Sequence, residues 1–478
     1  MNAKSMKRLG FSFLLFTFYF LCWTSLKSQW LVEKIEAGFD INKYAIGDGR
    51  NDGINRVYVG QENLGKPGYI AEVSWQQDNW EVSHIDTNPE VYNSPYGYGD
   101  AITTIAIGDG KNDGQNRVYA SYYYSKKINE FNWTGSSWTK TLVDLIDGNN
   151  SIITVGDARN DGIKRLYAGS AVDGILEYTW TGSSWTKATV LPEVGSVLSN
   201  LRIADGQGDG KQRLYVIGEK LSELTWTDTN GWQATNICNG NGLAIGDGRN
   251  DGINRIYSGG SQYSQDISEW TWNGTKWIEK FISNIESPIV LEVKDGRNDG
   301  RNRVYIKTYV YSRSDGVDWK SQLVEFSWDG FLWTQTDTSD YSGNDYAIIA
   351  SPRNDNKNRL YTTGSGLLEY TWAYPQPAYD SSKTQQDKLQ PVNNYFKQGS
   401  GWTTIWYKVD KAGDVSVKLY TTNGELVRTL FEGHKDVGEY SEVWTGRNDQ
   451  NDIVGSGIYL VRLKAPGVNV TKKVCVVK

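Results

Sequence analysis

The chain has 478 residues, 22% charged and 38% hydrophobic, which suits two or three domains with buried cores and excludes general disorder. Two histidines (His84 and His434) and three cysteines speak against Ser-His-Asp or Cys-His catalysis, His-ligated zinc, a CxxC metal site and a disulfide framework. A net charge of −6 makes nucleic acid and anionic membranes poor partners.

Lys4, Lys7 and Arg8 precede an apolar run over residues 11–23, too short to span a bilayer comfortably. Residues 1–28 are therefore expected to be a secretory signal peptide cleaved near Ser28, with an uncleaved anchor as the alternative. Its removal leaves 46 basic residues against 56 acidic, a net charge of −10. No later segment is apolar enough to cross a membrane.

The body repeats. IGDGRNDGINRVYVG (46–60) returns in altered form at 107–121, 155–169, 203–217, 245–259, 293–307 and 350–364, at spacings of 42 to 61 residues. Each copy is followed by an E-x-x-W segment and, in the first six, by a second Trp, as in EFNWTGSSW (130–138). Each unit reads as four strands: an apolar run into the Asp-Gly loop, R-[VIL]-Y, E-x-x-W, and a strand opening at the second Trp. Seven such units predict an all-β, seven-bladed β-propeller over 29–373. The seventh unit lacks its fourth strand, whereas the segment WLVEKI (30–35) resembles WTKTLV (138–143) and WIEKFI (277–282). The front of the chain is expected to complete the last blade and close the ring.

Residues 374–391, rich in Pro, Gln and Ser, read as a linker. Residues 392–478 alternate apolar and polar between Gly and Asn-Gly turns, which predicts a small Ig-like β-sandwich of about seven strands. The run EYSEVWTGRNDQNDIVGSGIYLVRLKA (439–465), ending in KKVCVVK (472–478), resembles FlgD-type immunoglobulin-like domains and the related C-terminal sorting domains of type IX secretion. The resemblance implies a delivery or attachment module and a secreted or cell-surface, extracellular location.

The loop D-G-x-N-D-G-x-N-R resembles the calcium loops of FG-GAP (VCBS) propeller repeats. Calcium needs six to eight oxygens, but positions 3 and 9 carry cations in most blades, as at Arg50 and Arg56. The expectation is an internal Arg–Asp staple, with no metal and no cofactor. Calcium remains the disfavoured alternative. Blade seven departs, with Ser351 for the first Asp and Asn356 for Gly.

Arg of R-[VIL]-Y and Glu of E-x-x-W lie on neighbouring strands. The sets are Arg56, Glu72 and Trp75; Arg117, Glu130 and Trp133; Arg165, Glu177 and Trp180; and Arg213, Glu223 and Trp226. Arg255, Glu269 and Trp272; Arg303, Glu325 and Trp328; and Arg359, Glu369 and Trp372 complete them. They resemble the repeats of fucose-specific propeller lectins. That resemblance implies sugar hydroxyls held by Arg and Glu in inter-blade crevices, with the aromatic ring against the sugar face. The competing reading is packing between blades. Tyr-rich stretches at 121–127 and 309–319 are further candidates for specificity.

The expected function is non-enzymatic, multivalent glycan binding. The alternative is a surface scaffold for protein contact. A lyase or glycosidase is disfavoured, because a near-equal repeat carries no distinctive pair of carboxylates. The partner is a glycan or a surface protein, and a monomer is expected.

Overall fold

The computed structural model describes residues 29–36, 41–61, 69–86, 100–148, 151–195, 198–260, 265–312, 318–364, 366–373, 388–392, 394–397, 402–450 and 452–477. The signal-peptide reading of 1–28 and most of the predicted linker, 374–387, lie outside them. Every regular element described is a β-strand.

Twenty-eight strands form seven antiparallel four-stranded sheets. Two of these, at residues 241–284 and 289–340, are joined by one parallel bridge, Gly242 to Val290. Blade 1 shows the pattern: Ile41–Gly47, Arg56–Gln61, Ile70–Gln76 and Asn79–His84, each paired to the next. The innermost strand leads into the Asp-Gly loop, and R-x-Y opens the second. Tyr58 is buried opposite Glu72, and Val57 opposite Val73. Burial falls off outwards: the fourth strand exposes most of its side chains, as its place at the rim requires.

The seventh blade closes as the sequence implies. Gln29–Ile35 pairs antiparallel with Leu367–Ala373, with Trp30 opposite Trp372 and Ile35 opposite Leu367. Trp30 is buried and meets Tyr305 and Trp372 edge-on at centroid distances of 5.8 and 5.4 Å. On the inner side the Tyr44 hydroxyl donates to the Tyr361 carbonyl at 2.5 Å, joining blade 1 to blade 7.

The C-terminal sandwich has a three-stranded sheet, in the order Leu389–Val392, Thr403–Val409, Gly438–Trp444. Facing it are five strands: Tyr395–Lys397, Val468–Val477, Gly457–Ala465, Gly413–Thr421 and Leu426–Lys435. Ile405, Tyr407, Val417, Leu419, Val461 and Trp444 form its core. The domain begins earlier than the sequence suggests, because Leu389 is already buried in that core. Pro391 makes 389–392 read as linker, yet the strand lies at a sheet edge, where a missing N–H is tolerated.

Candidate functional site: the blade junctions

The Asp-Gly loop is a closed hydrogen-bonded unit. Asp48 accepts the Asp52 and Gly53 N–H groups at 3.1 and 2.7 Å, and Asp52 accepts that of Ile54 at 3.1 Å. Arg56 then donates both terminal nitrogens to Asp52, at 2.8 and 2.8 Å. This bidentate staple recurs in every blade, as Arg117–Asp113, Arg165–Asp161, Arg213–Asp209, Arg255–Asp251, Arg303–Asp299 and Arg359–Asp355. In blade seven the Ser351 hydroxyl donates to Asp355 at 3.2 Å, and Asn356 takes the left-handed conformation that Gly53 holds in blade one. The arginine hydrogen bonds hold Asp113 and Asp209 down to about 2. Among the described residues, no group of three His, Cys, Asp or Glu is arranged to hold a metal ion.

The staple arginine also reaches the candidate Glu, its Nε lying 3.3–3.9 Å from the carboxylate in all seven blades. The stronger partner of that Glu is the residue at loop position 3. Arg50 donates to Glu72 at 2.7 Å, Lys111 to Glu130 at 2.8 Å, and Arg249 to Glu269 at 2.8 Å. In blade 4 the neutral Gln207 does this at 3.0 Å. Burying a carboxylate is expensive unless it is paired and hydrogen-bonded, and here two donors share it. Tyr58, Tyr215, Tyr257 and Tyr361 add a hydroxyl to the same carboxylate.

The candidate Trp belongs to the adjoining blade's junction. Arg50 lies 4.0 Å over Trp133, Lys111 4.2 Å over Trp180, and Arg159 3.6 Å over Trp226. Arg249 covers Trp328, Arg297 covers Trp372, and Arg353 covers Trp75, so six of the seven junctions carry the contact and the one after the neutral Gln207 does not. Each cation thus couples its own blade's Glu to the next blade's Trp. In each blade the paired tryptophans meet at 5.2–5.6 Å. The seven arginines, seven glutamates and seven first tryptophans therefore all stand at junctions in joined sets, with the Nε of Arg56, Arg117, Arg213 and Arg303 buried near the Glu but not hydrogen-bonded.

A second ring sits at loop position 4. Asn51, at φ +61°, donates to the Asn116 carbonyl of the next blade at 3.0 Å and accepts its N–H at 2.6 Å. The same reciprocal clamp joins Asn160 to Gln212, Asn250 to Asn302, Asn298 to Asn358 and Asn354 to Asn55. Lys164 donates its N–H to Asn112. Asn tolerates positive φ and carries both a donor and an acceptor, so a single residue serves. Blade 4 has Gly208 here, at φ +70°, beside the Asn254 backbone. Gly208→Asn is expected to supply the missing clamp and stabilise the ring by about 0.5–1 kcal/mol, with the Ile253 methyl yielding slightly. Urea denaturation checks this, and an unchanged or lower midpoint refutes it.

The stretch 121–127 is less open than it reads. Ser121 and Tyr122 are buried in a strand, and residues 123–127 stand partly exposed, with Tyr123 and Tyr124 edge to face at 4.8 Å. Of 309–319, residues 313–317 lie outside the described residues. Sequence reasoning also missed the Ig-like domain's seat on the propeller. Arg447 is buried and interacts electrostatically with Asp299 and Asp295 of blade 6. The Asp299 side chain is 15% exposed, against 37–46% for its six counterparts. Burial pushes Asp295 up to about 6.

Residues 393–467 match the FlgD Ig-like domain family. No curated protein is similar to the chain in sequence. Among solved structures, PorZ, a surface component of the type IX secretion system of Porphyromonas gingivalis, is similar over 93% of this chain at 15% identity, with a TM-score of 0.44. The chain spans 61% of that protein's length. AofleA from Arthrobotrys oligospora is similar over 66% of this chain and 90% of its own, at 15% identity and a TM-score of 0.36. A chain of the mitotic checkpoint complex is similar over 78% of this chain and 99% of its own, at 12% identity and a TM-score of 0.43.

Proposed function

We propose that this chain is a secreted or cell-surface, non-enzymatic scaffold for protein contacts, delivered or attached through its FlgD-like domain. The carrying observation is the internal engagement of every Arg–Glu–Trp set. A sugar entering a junction would compete with a bidentate Arg–Asp pair, a cation on the Glu and, at six junctions, a cation on the Trp face. Each junction Glu is held by neighbouring donors, which leaves it ill-suited to serve as one of a glycosidase's two carboxylates. What remains for partners is a rigid ring with loops on two faces and an outer rim that exposes Phe281, Phe331, Leu332 and Leu142.

The test is crosslinking mass spectrometry on cells bearing the full chain, alongside a glycan array with the purified chain. Reproducible crosslinks between ring loops or rim and one surface protein, with a blank array, are expected. An array signal abolished in a folded Arg117→Met variant would overturn the reading in favour of sugar binding at the junctions.

A further inference from the structure

Inside the ring is a cavity of about 900 Å³, lined by the innermost strands of blades 1, 2, 3, 4, 6 and 7. Most of its wall is aliphatic or hydroxylated, including Ile105, Ile153, Thr104 and Thr154. Five charged side chains break that pattern: Lys43, Arg202, Glu292 and the paired Lys307 and Asp345. Arg202 of blade 4 makes no hydrogen bond or ion pair with any described residue, and its guanidinium lies 5.8 Å over the ring of Tyr346. Glu292 of blade 6 accepts only the N–H of its neighbour Val293, at 3.0 Å. The two feel each other electrostatically, yet they stand too far apart to form an ion pair.

Elsewhere in this ring the partly buried charges are paired or hydrogen-bonded, some of the loop aspartates by backbone N–H groups alone, as Asp48 is. The junction glutamates carry cations, the loop arginines carry aspartates, and Lys307 at the cavity wall meets Asp345 at 2.7 Å. A guanidinium and a carboxylate left apart in one cavity form a split pair. Neither has an ion-pair partner at contact distance, and Glu292 feels Arg202 and Lys294 only at longer range. A ligand carrying both charges satisfies both ends at once. We propose that the central cavity is a binding site for a small zwitterion, an amino acid or dipeptide, with its carboxylate on Arg202 and its ammonium on Glu292. The Tyr44 and Tyr346 rings, 5.5 Å apart, offer an apolar side wall beside Arg202. The site does not depend on the scaffold reading, since no junction residue enters it.

Isothermal titration calorimetry of the full chain tests this with four probes: L-alanine, L-alanyl-L-alanine, N-acetyl-L-alanine and L-alaninamide. The expected result is binding of at least one of the first two. The acetylated and amidated forms, each lacking one charge, should bind weaker on the order of tenfold or more. Arg202→Met and Glu292→Gln should each weaken the zwitterion comparably, while Arg202→Lys retains part of the affinity and shows that the ring still folds. The proposal is overturned if neither zwitterion binds at millimolar concentration. It is equally overturned if a singly charged analogue binds as well, or if both variants bind like the parent.

Discussion

Trp30→Ala is expected to cost the propeller roughly 3–5 kcal/mol, the range for emptying a buried aromatic site. The indole is 6% exposed, wedged edge-on between Tyr305 of blade 6 and Trp372 of blade 7. A chain lacking residues 29–36 should fare worse, because it also loses the ladder from Gln29–Ala373 to Ile35–Leu367 and leaves a bare edge strand. Arg353 would lose Glu33, which it meets at 2.8 Å. Urea denaturation followed by circular dichroism measures the cost. Supplying residues 29–36 as a free peptide should return part of it. A loss under about 1 kcal/mol for Trp30→Ala would show that the ring does not depend on this strand.

Glu269→Ala should be nearly as damaging, at roughly 3–5 kcal/mol, since it strands two guanidiniums in a poorly solvated junction. Glu269 is fully buried between Arg249 and Arg255, with the Tyr257 hydroxyl at 3.4 Å. Glu432 provides the contrast. It pairs with Lys418 at 2.7 Å but is 64% exposed, and Glu432→Ala should move stability by no more than about 1 kcal/mol. The comparison separates two roles. A glutamate kept for a sugar would leave the unfolding midpoint nearly unchanged when removed, whereas one that closes a charge network would lower it sharply.

The parts of this architecture that were readable from sequence are those written within one repeat. Alternation gave the four strands, the truncated seventh unit pointed to residues 30–35, and two cations in a loop otherwise suited to calcium pointed to the Arg–Asp staple. What stayed hidden lies between repeats. The ion at loop position 3 is read locally as surplus charge, but its ring partner stands a blade away, as Trp133 does from Arg50. Asn51 reads as a turn residue, and only the assembled ring shows its side chain clamping the next loop. The Glu–Trp spacing that suggests a sugar crevice is also what this packing requires, so the residue pattern alone could not separate the two. Arg202 and Glu292 carry no motif at all. They share one cavity, without touching, only because the ring brings strands of blades 4 and 6 to it.

Joining the first strand to the last also sets a timetable. Glu33 and Arg353 are 320 positions apart, so a ribosome or translocon must deliver nearly the whole ring before its seam can be sealed. Until then the edge of Leu367–Ala373 and the strand Gln29–Ile35 that covers it stay unpaired.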